Sequence, residues 1–280
     1  MIQLYEKVSF DTSKLVTTKY STSFSLGILT LDKKLRKHIY AIYGLVRIAD
    51  EIVDTFHHLD KKKLLDELKN ETYKSISNRF SSNLVLNSFQ ITVNEYKIPK
   101  ELIDAFFHSM EMDTYKNNFS REDYDKYVYG SAEVVGLMCL KIFVDGDEDK
   151  YKELREYARA LGSAFQKVNF LRDIGSDLND RHRIYIPEVP EVSEITNEEK
   201  QKLVQETERE FSLALEGIKR LPNSAKLGVY STYLYYLALL RKIKKKQLDY
   251  LLSRRVRVNN FHKILLLLKA FLQVKVLKLI

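Results

Sequence analysis

The stretch Asn169-Phe-Leu-Arg172-Asp173-Ile-Gly-Ser-Asp177 carries polar side chains at a regular spacing of four residues. On an α-helix, four residues correspond to about 400° of rotation, so Asn169, Asp173 and Asp177 lie along one stripe. One amide and two carboxylates form an oxygen-only set, which suits a hard cation such as Mg²⁺ or Mn²⁺ better than zinc. We name this stripe the second acidic ladder, and it predicts a cation site on a helix.

A first acidic ladder lies far upstream, where Asp50 and Asp54 are again four residues apart. Tyr43 and Arg47 share its face, because steps of four, three and four residues keep to one side of a helix. Two acidic ladders in a helical chain predict one metal-bridged polyanion held between two helices. That arrangement points to an enzyme that acts on a diphosphate.

A single pair of acids at this spacing usually belongs to a solvated helix face, and that is the alternative interpretation. The residues before each ladder argue against it. Residues 41–49 precede the first ladder, residues 164–168 precede the second, and both segments are rich in apolar side chains. Carboxylates on such helices are costly unless they are paired or bound to metal, so a functional role is favoured.

The rest of the sequence predicts one all-α domain over residues 1–280. A chain of 280 residues with 45% hydrophobic content can bury a large core. No stretch alternates with a sustained period of two, so no sheet is expected. The four prolines stand beside predicted helix boundaries, and Ser120-Arg-Glu-Asp123 and Thr196-Asn-Glu-Glu199 are predicted capping boxes.

Cysteine content and the terminal sequences predict a cytoplasmic protein. The one cysteine, Cys139, lies in an apolar run and has no partner for a disulfide within the chain, which fits a reducing compartment. The amino terminus lacks the basic start and apolar core of a signal peptide. No stretch has the apolar length of a membrane-spanning helix, so we expect no carboxy-terminal anchor.

Positive charge is concentrated toward the carboxyl end. Residues 241–280 hold twelve Lys or Arg and one acid, a local balance of +11 against +8 overall. One interpretation is a terminal core helix whose lysines reach to water; the other is a basic apolar surface on anionic lipid, peripheral to the inner face of the membrane. Both stay open. Nucleic acid is not expected as a partner, because these basic residues are packed among aliphatic ones without a recognisable module.

Five segments, in order, resemble the squalene/phytoene synthases, the head-to-head members of the trans-isoprenoid synthases, and bacterial phytoene synthases in particular. Together they span roughly residues 20–190, and five ordered motifs are far more specific than any one of them. The segments are Tyr20-Ser21-Thr22-Ser23-Phe24; Tyr43-Gly-Leu-Val-Arg47-Ile-Ala-Asp50-Glu-Ile-Val-Asp54; Tyr127-Val-Tyr129-Gly130-Ser131-Ala-Glu133-Val-Val-Gly136; Gly162-Ser-Ala-Phe-Gln166-Lys-Val-Asn169-Phe-Leu-Arg172-Asp173-Ile-Gly-Ser-Asp177; and Arg181-His-Arg183-Ile-Tyr185-Ile-Pro187.

The resemblance implies a helical bundle of the isoprenoid synthase type with a central apolar cavity. By the same resemblance, the catalytic residues would be Asp50, Asp54, Asp173, Asp177, Tyr43 and Arg47. The metal ligands would be Asp50, Asp54, Asn169, Asp173 and Asp177. Prenyl diphosphate substrates would be bound by Ser21, Ser23, Phe24, Tyr127, Ser131, Val135, Gly136, Gly162, Gln166, Arg172, Arg181, Arg183 and Tyr185.

The resemblance further implies a magnesium-dependent prenyltransferase of carotenoid biosynthesis. Two geranylgeranyl diphosphates would condense head to head to phytoene through a cyclopropylcarbinyl (prephytoene) diphosphate, with release of diphosphate and without NADPH. The alternative is a C30 product from farnesyl diphosphate, either dehydrosqualene or, with hydride from NADPH, squalene. Such a hydrocarbon would be released to a membrane surface. The oligomeric state stays open.

The chain departs from the family pattern in two places. Glu51 stands where many relatives have a second Asp, but the outer acids are intact, so metal binding is expected to survive. Glu133-Val134 stands where a small Gly-Thr pair is common, which predicts a reshaped cavity.

Two alternatives of other kinds remain: a head-to-tail prenyl synthase or terpene cyclase, and a non-catalytic helical partner protein of the same fold. The second ladder lacks the Ser/Thr–Glu pattern of the cyclases. A non-catalytic relative is expected to have lost ligand carboxylates, whereas all four outer aspartates are present here.

Overall fold

The computed structural model describes residues 1–181, 183–187, 189 and 195–280, without the side chains of Ser23 and Arg181. Over these residues the chain forms thirteen α-helices and two π-helical turns. The α-helices are α1 (Ile2–Tyr20), α2 (Thr22–Leu29), α3 (Lys33–Asp54), α4 (Lys61–Asn78), α5 (Leu84–Tyr96), α6 (Lys100–Met112), α7 (Arg121–Val128), α8 (Val134–Phe143), α9 (Glu148–Arg181), α10 (Asn197–Arg220), α11 (Asn223–Lys244), α12 (Leu248–Ser253) and α13 (Asn260–Phe271). The π-helical turns are Tyr129–Glu133, before α8, and Leu272–Val276, after α13.

Side-chain caps explain where several of these helices begin. The Ser120 hydroxyl accepts a hydrogen bond from the Asp123 backbone N–H at 3.1 Å and so caps α7. Thr196 and Glu199 form a complete capping box at the start of α10. Helices α6 and α11 each begin directly after a proline, whose missing N–H is no loss at that position. The helix starts predicted at these four places are confirmed, but the capping box predicted at Ser120 is only half formed, because the Asp123 carboxylate pairs with Lys116.

Two neighbouring hydrophobic clusters form the core. One contains buried side chains of α3, α5, α6 and α8, with Phe89 and Phe106 at its centre. The other contains buried side chains of α7, α9, α10 and α11, including Tyr124 and Phe211. Phe143 packs against both clusters, so they are continuous.

A close backbone approach sets α9 against the π-helical turn Tyr129–Glu133. A Cβ atom at Gly162 would lie 2.6 Å from the Ala132 carbonyl oxygen, so only glycine allows this approach. The contact places α8, α9 and the π-helical turn side by side, around the cavity that lies between the two clusters.

The predicted all-α fold is confirmed. Within the described ranges no strand occurs, and a single backbone bridge pairs Asn118 with Ile184. Of the helices in these ranges, none combines the length and the apolar character needed to cross a bilayer.

Candidate active site

A cavity of about 480 Å³ lies between the two clusters. Its wall residues on α9 run from Leu154 to Arg172, about 27 Å along the helix axis. On α3 and α9 alike, the apolar wall residues come first and the polar ones follow toward the carboxyl end of the helix. The cavity therefore has a long apolar part and one polar end. We define the polar end by Arg47, Asp50, Asn169, Arg172 and Arg255.

Most of the predicted site residues line this cavity. They are Ser21, Phe24, Tyr43, Arg47, Asp50, Tyr127, Ser131, Val135, Gly136, Gly162, Gln166, Asn169 and Arg172. Asp54, Asp173, Asp177, Arg183 and Tyr185 are not wall residues; they lie in the contacts around the polar end that are described next. The side chains of Ser23 and Arg181 lie outside what the structure describes.

In the first ladder, Asp50 has little compensating charge. Arg47 Nη1 lies 3.9 Å from Asp50 Oδ2, while the same guanidinium also pairs with Glu51. Burial, followed by the charge of Asp54, raises the pKa of Asp50 to about 7. A carboxyl group in this state is stabilised as the anion by any cation that approaches it.

In the second ladder, Asp173 is paired with two arginines. Arg172 Nε donates to Asp173 Oδ1 at 2.9 Å, and Arg255 Nε lies 2.6 Å from the same oxygen. Burial would raise the pKa of Asp173, but the hydrogen bonds and charges of Arg172 and Arg255 outweigh it and hold this pKa below its usual value. Arg255 follows α12, so the tertiary fold brings this charge to α9.

Arg183 joins the carboxyl ends of the two ladders. Its Nη1 donates to Asp54 Oδ1 at 2.8 Å, and its backbone N–H donates to the Asp177 carbonyl oxygen at 2.9 Å. The two ladders are therefore neighbours in space, as the sequence predicted for two helices that hold one polyanion.

A buried carboxyl group, Asp113, holds Arg183 in place. Arg183 Nη2 donates to the Asp113 carbonyl oxygen at 2.7 Å, and Arg183 Nη1 lies 3.5 Å from Asp113 Oδ1. The hydroxyls of Tyr127 and Tyr185 each donate to the Asp113 carboxylate at 2.7 Å. Burial raises the pKa of Asp113 to about 6, against the opposing effects of Arg183 and the two hydroxyls. Arg183 and Tyr185 thus belong to a buried network that supports Asp54.

Aromatic side chains adjoin the first ladder. The rings of Phe24 and Tyr43 stack with centroids 5.2 Å apart, and the Arg47 guanidinium carbon lies 4.2 Å from the Tyr20 ring centroid. The Ser21 hydroxyl caps α2 by accepting from the Phe24 N–H at 3.3 Å. Burial raises the pKa of Tyr43 to about 12, so its hydroxyl keeps its proton near neutral pH.

Three buried polar atoms of cavity residues have no hydrogen-bond partner within the described part of the chain. They are Arg47 Nε, Ser131 Oγ and Asn169 Oδ1. Because buried polar groups are rarely left unsatisfied in folded proteins, these atoms are available to water or to a bound polar ligand.

The oxygen atoms at the polar end are suitable ligands for a hard divalent cation. Asn169 Oδ1 has no hydrogen-bond partner among the described residues, and the raised pKa of Asp50 marks a carboxyl group that needs positive charge. In the described ranges, no three His, Cys, Asp or Glu side chains are grouped closely enough to hold a metal ion. A cation therefore needs further oxygen ligands, which a diphosphate can supply.

Three residues of the site escaped the sequence prediction. Asp113 is a lone acid with no helical spacing to another, and Arg255 belongs to a basic run that gave no reason to separate one member. Tyr236 stacks on Phe165 with ring centroids 4.1 Å apart and lines the cavity, but it is one of 18 tyrosines. Only the tertiary structure distinguishes these residues from their neighbours.

Glu133 and Val134, which the sequence predicted to reshape the cavity, do not line it. Glu133 Oε2 pairs with Arg159 Nε at 2.7 Å, and Val134 is buried in the core. Neither belongs to the described cavity wall, because the helical turn directs both side chains toward neighbouring helices.

Comparison with known proteins agrees with the fold and shows the family. The model of the squalene/phytoene synthase family matches residues 17–189, more than half of the chain. Phytoene synthase from Arthrospira platensis is 26% identical over 295 residues, which cover 96% of this chain and 94% of that protein. The 4,4′-diapophytoene synthase of Staphylococcus haemolyticus is 27% identical over 168 residues, 59% of this chain and 58% of that protein.

A crystal structure of a dehydrosqualene synthase in complex with a ligand has the same fold. It superposes with a TM-score of 0.82 and covers 98% of both chains at 21% sequence identity. An all-α bundle with two acidic ladders at one cavity defines the class of isoprenoid synthases. Within that class, the chain belongs to the squalene/phytoene synthase family, whose members are prenyltransferases that bind prenyl diphosphates.

Proposed function

We propose that this protein condenses two geranylgeranyl diphosphates head to head to phytoene, with release of two diphosphates, in carotenoid biosynthesis. The observation that supports it most is one cavity whose polar end adjoins both ladders and whose wall extends about 27 Å along α9. A prenyl diphosphate has the same division into a charged head and a long apolar tail. Similarity to phytoene synthases over most of the chain supports the same reaction.

The arginines of the polar end are proposed to bind the diphosphates. Arg47, Arg172 and Arg255 present guanidinium groups there, and such groups bind phosphate oxygens through paired hydrogen bonds. Mg²⁺ or Mn²⁺, when bound, would neutralise the leaving diphosphate. The proposed cation ligands are Asp50, Asp54, Asn169, Asp173 and Asp177.

The apolar part of the cavity is proposed to exclude water from the carbocations. C1 of one substrate loses its diphosphate and forms a bond with the C2–C3 double bond of the other. Loss of a proton closes the cyclopropane ring of the prephytoene diphosphate. That diphosphate then leaves, the carbon skeleton rearranges to the 1–1′ linkage, and loss of a second proton gives the hydrocarbon.

The released diphosphate is the proposed proton acceptor. The described wall of the cavity contains no histidine, and Tyr43 keeps its proton because its pKa is about 12. A diphosphate oxygen held by the arginines of the polar end would then accept the proton.

A C30 product is the second candidate, because the solved structure described above, that of a dehydrosqualene synthase, covers 98% of this chain with a TM-score of 0.82. In that case two farnesyl diphosphates would be the substrates. The chemistry at the polar end would be unchanged, and the choice would depend on the length of the apolar part of the cavity.

A product assay tests both candidates. Purified protein with Mg²⁺ receives geranylgeranyl or farnesyl diphosphate, with and without NADPH, and the hexane extract is measured by mass spectrometry. A C40 hydrocarbon formed without NADPH is expected, whereas a C30 hydrocarbon as the main product would replace phytoene by dehydrosqualene or squalene. No hydrocarbon from folded protein would contradict the proposal and favour the non-catalytic partner protein.

We further propose a cytoplasmic location with peripheral contact to the inner face of the membrane. A C40 hydrocarbon is insoluble in water, so its release requires an apolar phase near the cavity.

A further inference from the structure

The carboxy-terminal helix α13 and the residues after it carry an apolar face that no other part of the described structure covers. Nine large apolar side chains on it are each exposed by 46% or more. We call this set the α13 face: Phe261, Ile264, Leu265, Leu268, Phe271, Leu272, Val276, Leu277 and Leu279. Large apolar side chains exposed together along one helix mark interaction surfaces, whereas single exposed ones do not.

The inner side of α13 is packed against the rest of the protein, so the α13 face points to solvent. Ala270 and Val274 are buried, and α13 packs against α11. The Tyr230 hydroxyl donates to Gln273 Oε1 at 2.9 Å and anchors the end of the helix. The apolar side chains therefore point outward because of the packing of α13 and not because the helix is detached.

Basic side chains border the α13 face. Residues 260–280 contain four lysines and no Asp or Glu. Lys269, Lys275 and Lys278 are exposed beside the apolar residues. A helix with large apolar residues on one side and lysines along its border is typical of helices that lie in the interface of anionic membranes.

We propose that the α13 face docks on an anionic lipid surface. A second copy of this chain fits less well, because two α13 faces paired about a two-fold axis would bring lysines together without acids to pair with them. Anionic headgroups neutralise those lysines, while the acyl region takes up the apolar side chains. Charge complementarity therefore favours lipid over self-association.

The docking surface lies one helix away from the cavity. Helix α11 packs against α13 and bonds through Tyr230 to the π-helical turn that follows it, while Val229, Thr232 and Tyr236 of α11 line the cavity. Arg255, on the segment leading to α13, reaches the polar end. Docking would place the cavity wall next to the bilayer, where an apolar product can leave. This benefit rests on the proposed function; the lipid binding itself does not.

Vesicle sedimentation tests the docking surface in the full-length protein. We expect vesicles of phosphatidylcholine with phosphatidylglycerol to bind it at least about tenfold more tightly than vesicles of phosphatidylcholine alone. The double variant Leu265→Glu/Leu268→Glu is expected to lose at least about tenfold in affinity for the anionic vesicles. Leu213→Glu is the matched control, because Leu213 is 47% exposed on α10 and should leave binding unchanged.

A fluorescent reporter gives a second reading without removing apolar residues. The chain contains no tryptophan, so Phe261→Trp introduces a single emitter on the α13 face. Its emission should shift to shorter wavelength when anionic vesicles are added. Phe80→Trp is the control, since Phe80 is 57% exposed near the end of α4 and its emission should not shift.

Any of three results would overturn the docking proposal. The first is equal binding of anionic vesicles by the double variant and Leu213→Glu, and the second is a Phe261→Trp emission spectrum that vesicles do not shift. The third is that, without vesicles, the wild-type protein is a dimer and the double variant a monomer. Product formation in detergent is measured separately and should be retained by the double variant. Lipid binding by a wild-type protein that forms no hydrocarbon would remove the proposed function and leave the docking surface intact.

Discussion

The two acidic ladders share a spacing and differ in charge compensation. In the first ladder, burial and Asp54 raise the pKa of Asp50 to about 7. In the second ladder, Arg172 and Arg255 hold the pKa of Asp173 below its usual value in spite of burial. The difference comes from the arginines that the fold delivers, because Arg47 is shared with Glu51 while α9 receives Arg255 from beyond α12. Equal spacing in the sequence thus leads to unequal charge states in the protein without ligand.

This asymmetry suggests a division of work between the ladders. The first ladder is expected to attract the cation, because its carboxylates repel each other. At the second ladder, the arginines are expected to release Asp173 when they bind diphosphate oxygens. Asp173 is then free to bind the cation. The following predictions test this comparison, from the largest expected effect to the smallest.

The first prediction concerns Asp50, the carboxylate with little compensating positive charge. Asp50→Asn removes a charge that would hold the cation, and kcat is expected to fall by roughly 10²–10³-fold. Steady-state assays of hydrocarbon formation at saturating substrate and Mg²⁺ provide the measurement. Glu122→Gln, in an exposed pair with Lys126 on α7, is the control and should retain the wild-type rate. A loss below about fivefold for Asp50→Asn would contradict a cation role for the first ladder.

The second prediction concerns the network that joins the ladders. Asp113→Ala removes the acceptor of the Tyr127 and Tyr185 hydroxyls and the partner of Arg183, so buried donors are left unpaired, and the free energy of unfolding is expected to fall by about 3 kcal/mol. Urea denaturation followed by circular dichroism measures this change. Asp125→Ala, in an exposed pair with Arg121, should stay within about 0.5 kcal/mol of wild type. Equal effects of the two variants would show that the Asp113 network does not hold Arg183 and Asp54.

The third prediction is that one substitution changes the affinities for two ligands in opposite directions. Arg255→Gln removes a competitor for Asp173, so the affinity for Mn²⁺ alone should rise by a few-fold. The same change removes a phosphate donor, so the affinity for inorganic pyrophosphate with Mn²⁺ should fall by about tenfold. Isothermal titration calorimetry measures both. Arg257→Gln is the control, because Arg257 is exposed two residues further along; parallel changes in the two variants would contradict the specific role of Arg255.

The fourth prediction concerns the pH dependence of stability without divalent cations. The pKa of Asp50 is raised from 3.8 to about 7, so the folded protein holds a proton that the unfolded chain releases, and stability falls as the pH rises through this range. The pKa of Asp173 is lowered, so its contribution is present above pH 3.8 and is lost as the pH falls. Urea midpoints across pH 4–7 should therefore decline less steeply in Asp50→Asn. An unchanged slope would speak against the raised pKa.

Local patterns explain what the sequence could predict. The ladders, the helix caps at Ser120 and Thr196 and the absence of period-two alternation depend on residues only a few positions apart. The fold class followed from them and from the ordered family motifs, and so did about a third of the residues that line the cavity. The roles proposed for the individual site residues stay predictions until the variants are measured.

Contacts between distant segments explain what the sequence could not predict. Asp113, Arg183 and Asp54 meet across 129 residues of chain, and no spacing rule connects them. The direction of the Glu133 side chain depends on the π-helical turn Tyr129–Glu133. The sequence pattern did not predict that turn. Two interpretations of the carboxyl end stayed open because one helix both packs inward and exposes an apolar face, which only the structure shows.

The central claim is that the two ladders serve one cation–diphosphate site, and a double-mutant cycle tests it most directly. Rates of hydrocarbon formation are measured for wild type, Asp50→Asn, Asp173→Asn and the double variant, all at saturating substrate and Mg²⁺. If both carboxylates hold the same leaving group, the double variant should be nearly as active as the worse single variant, because the first substitution already disables the site. Losses that multiply across the two substitutions would show independent sites and contradict the claim.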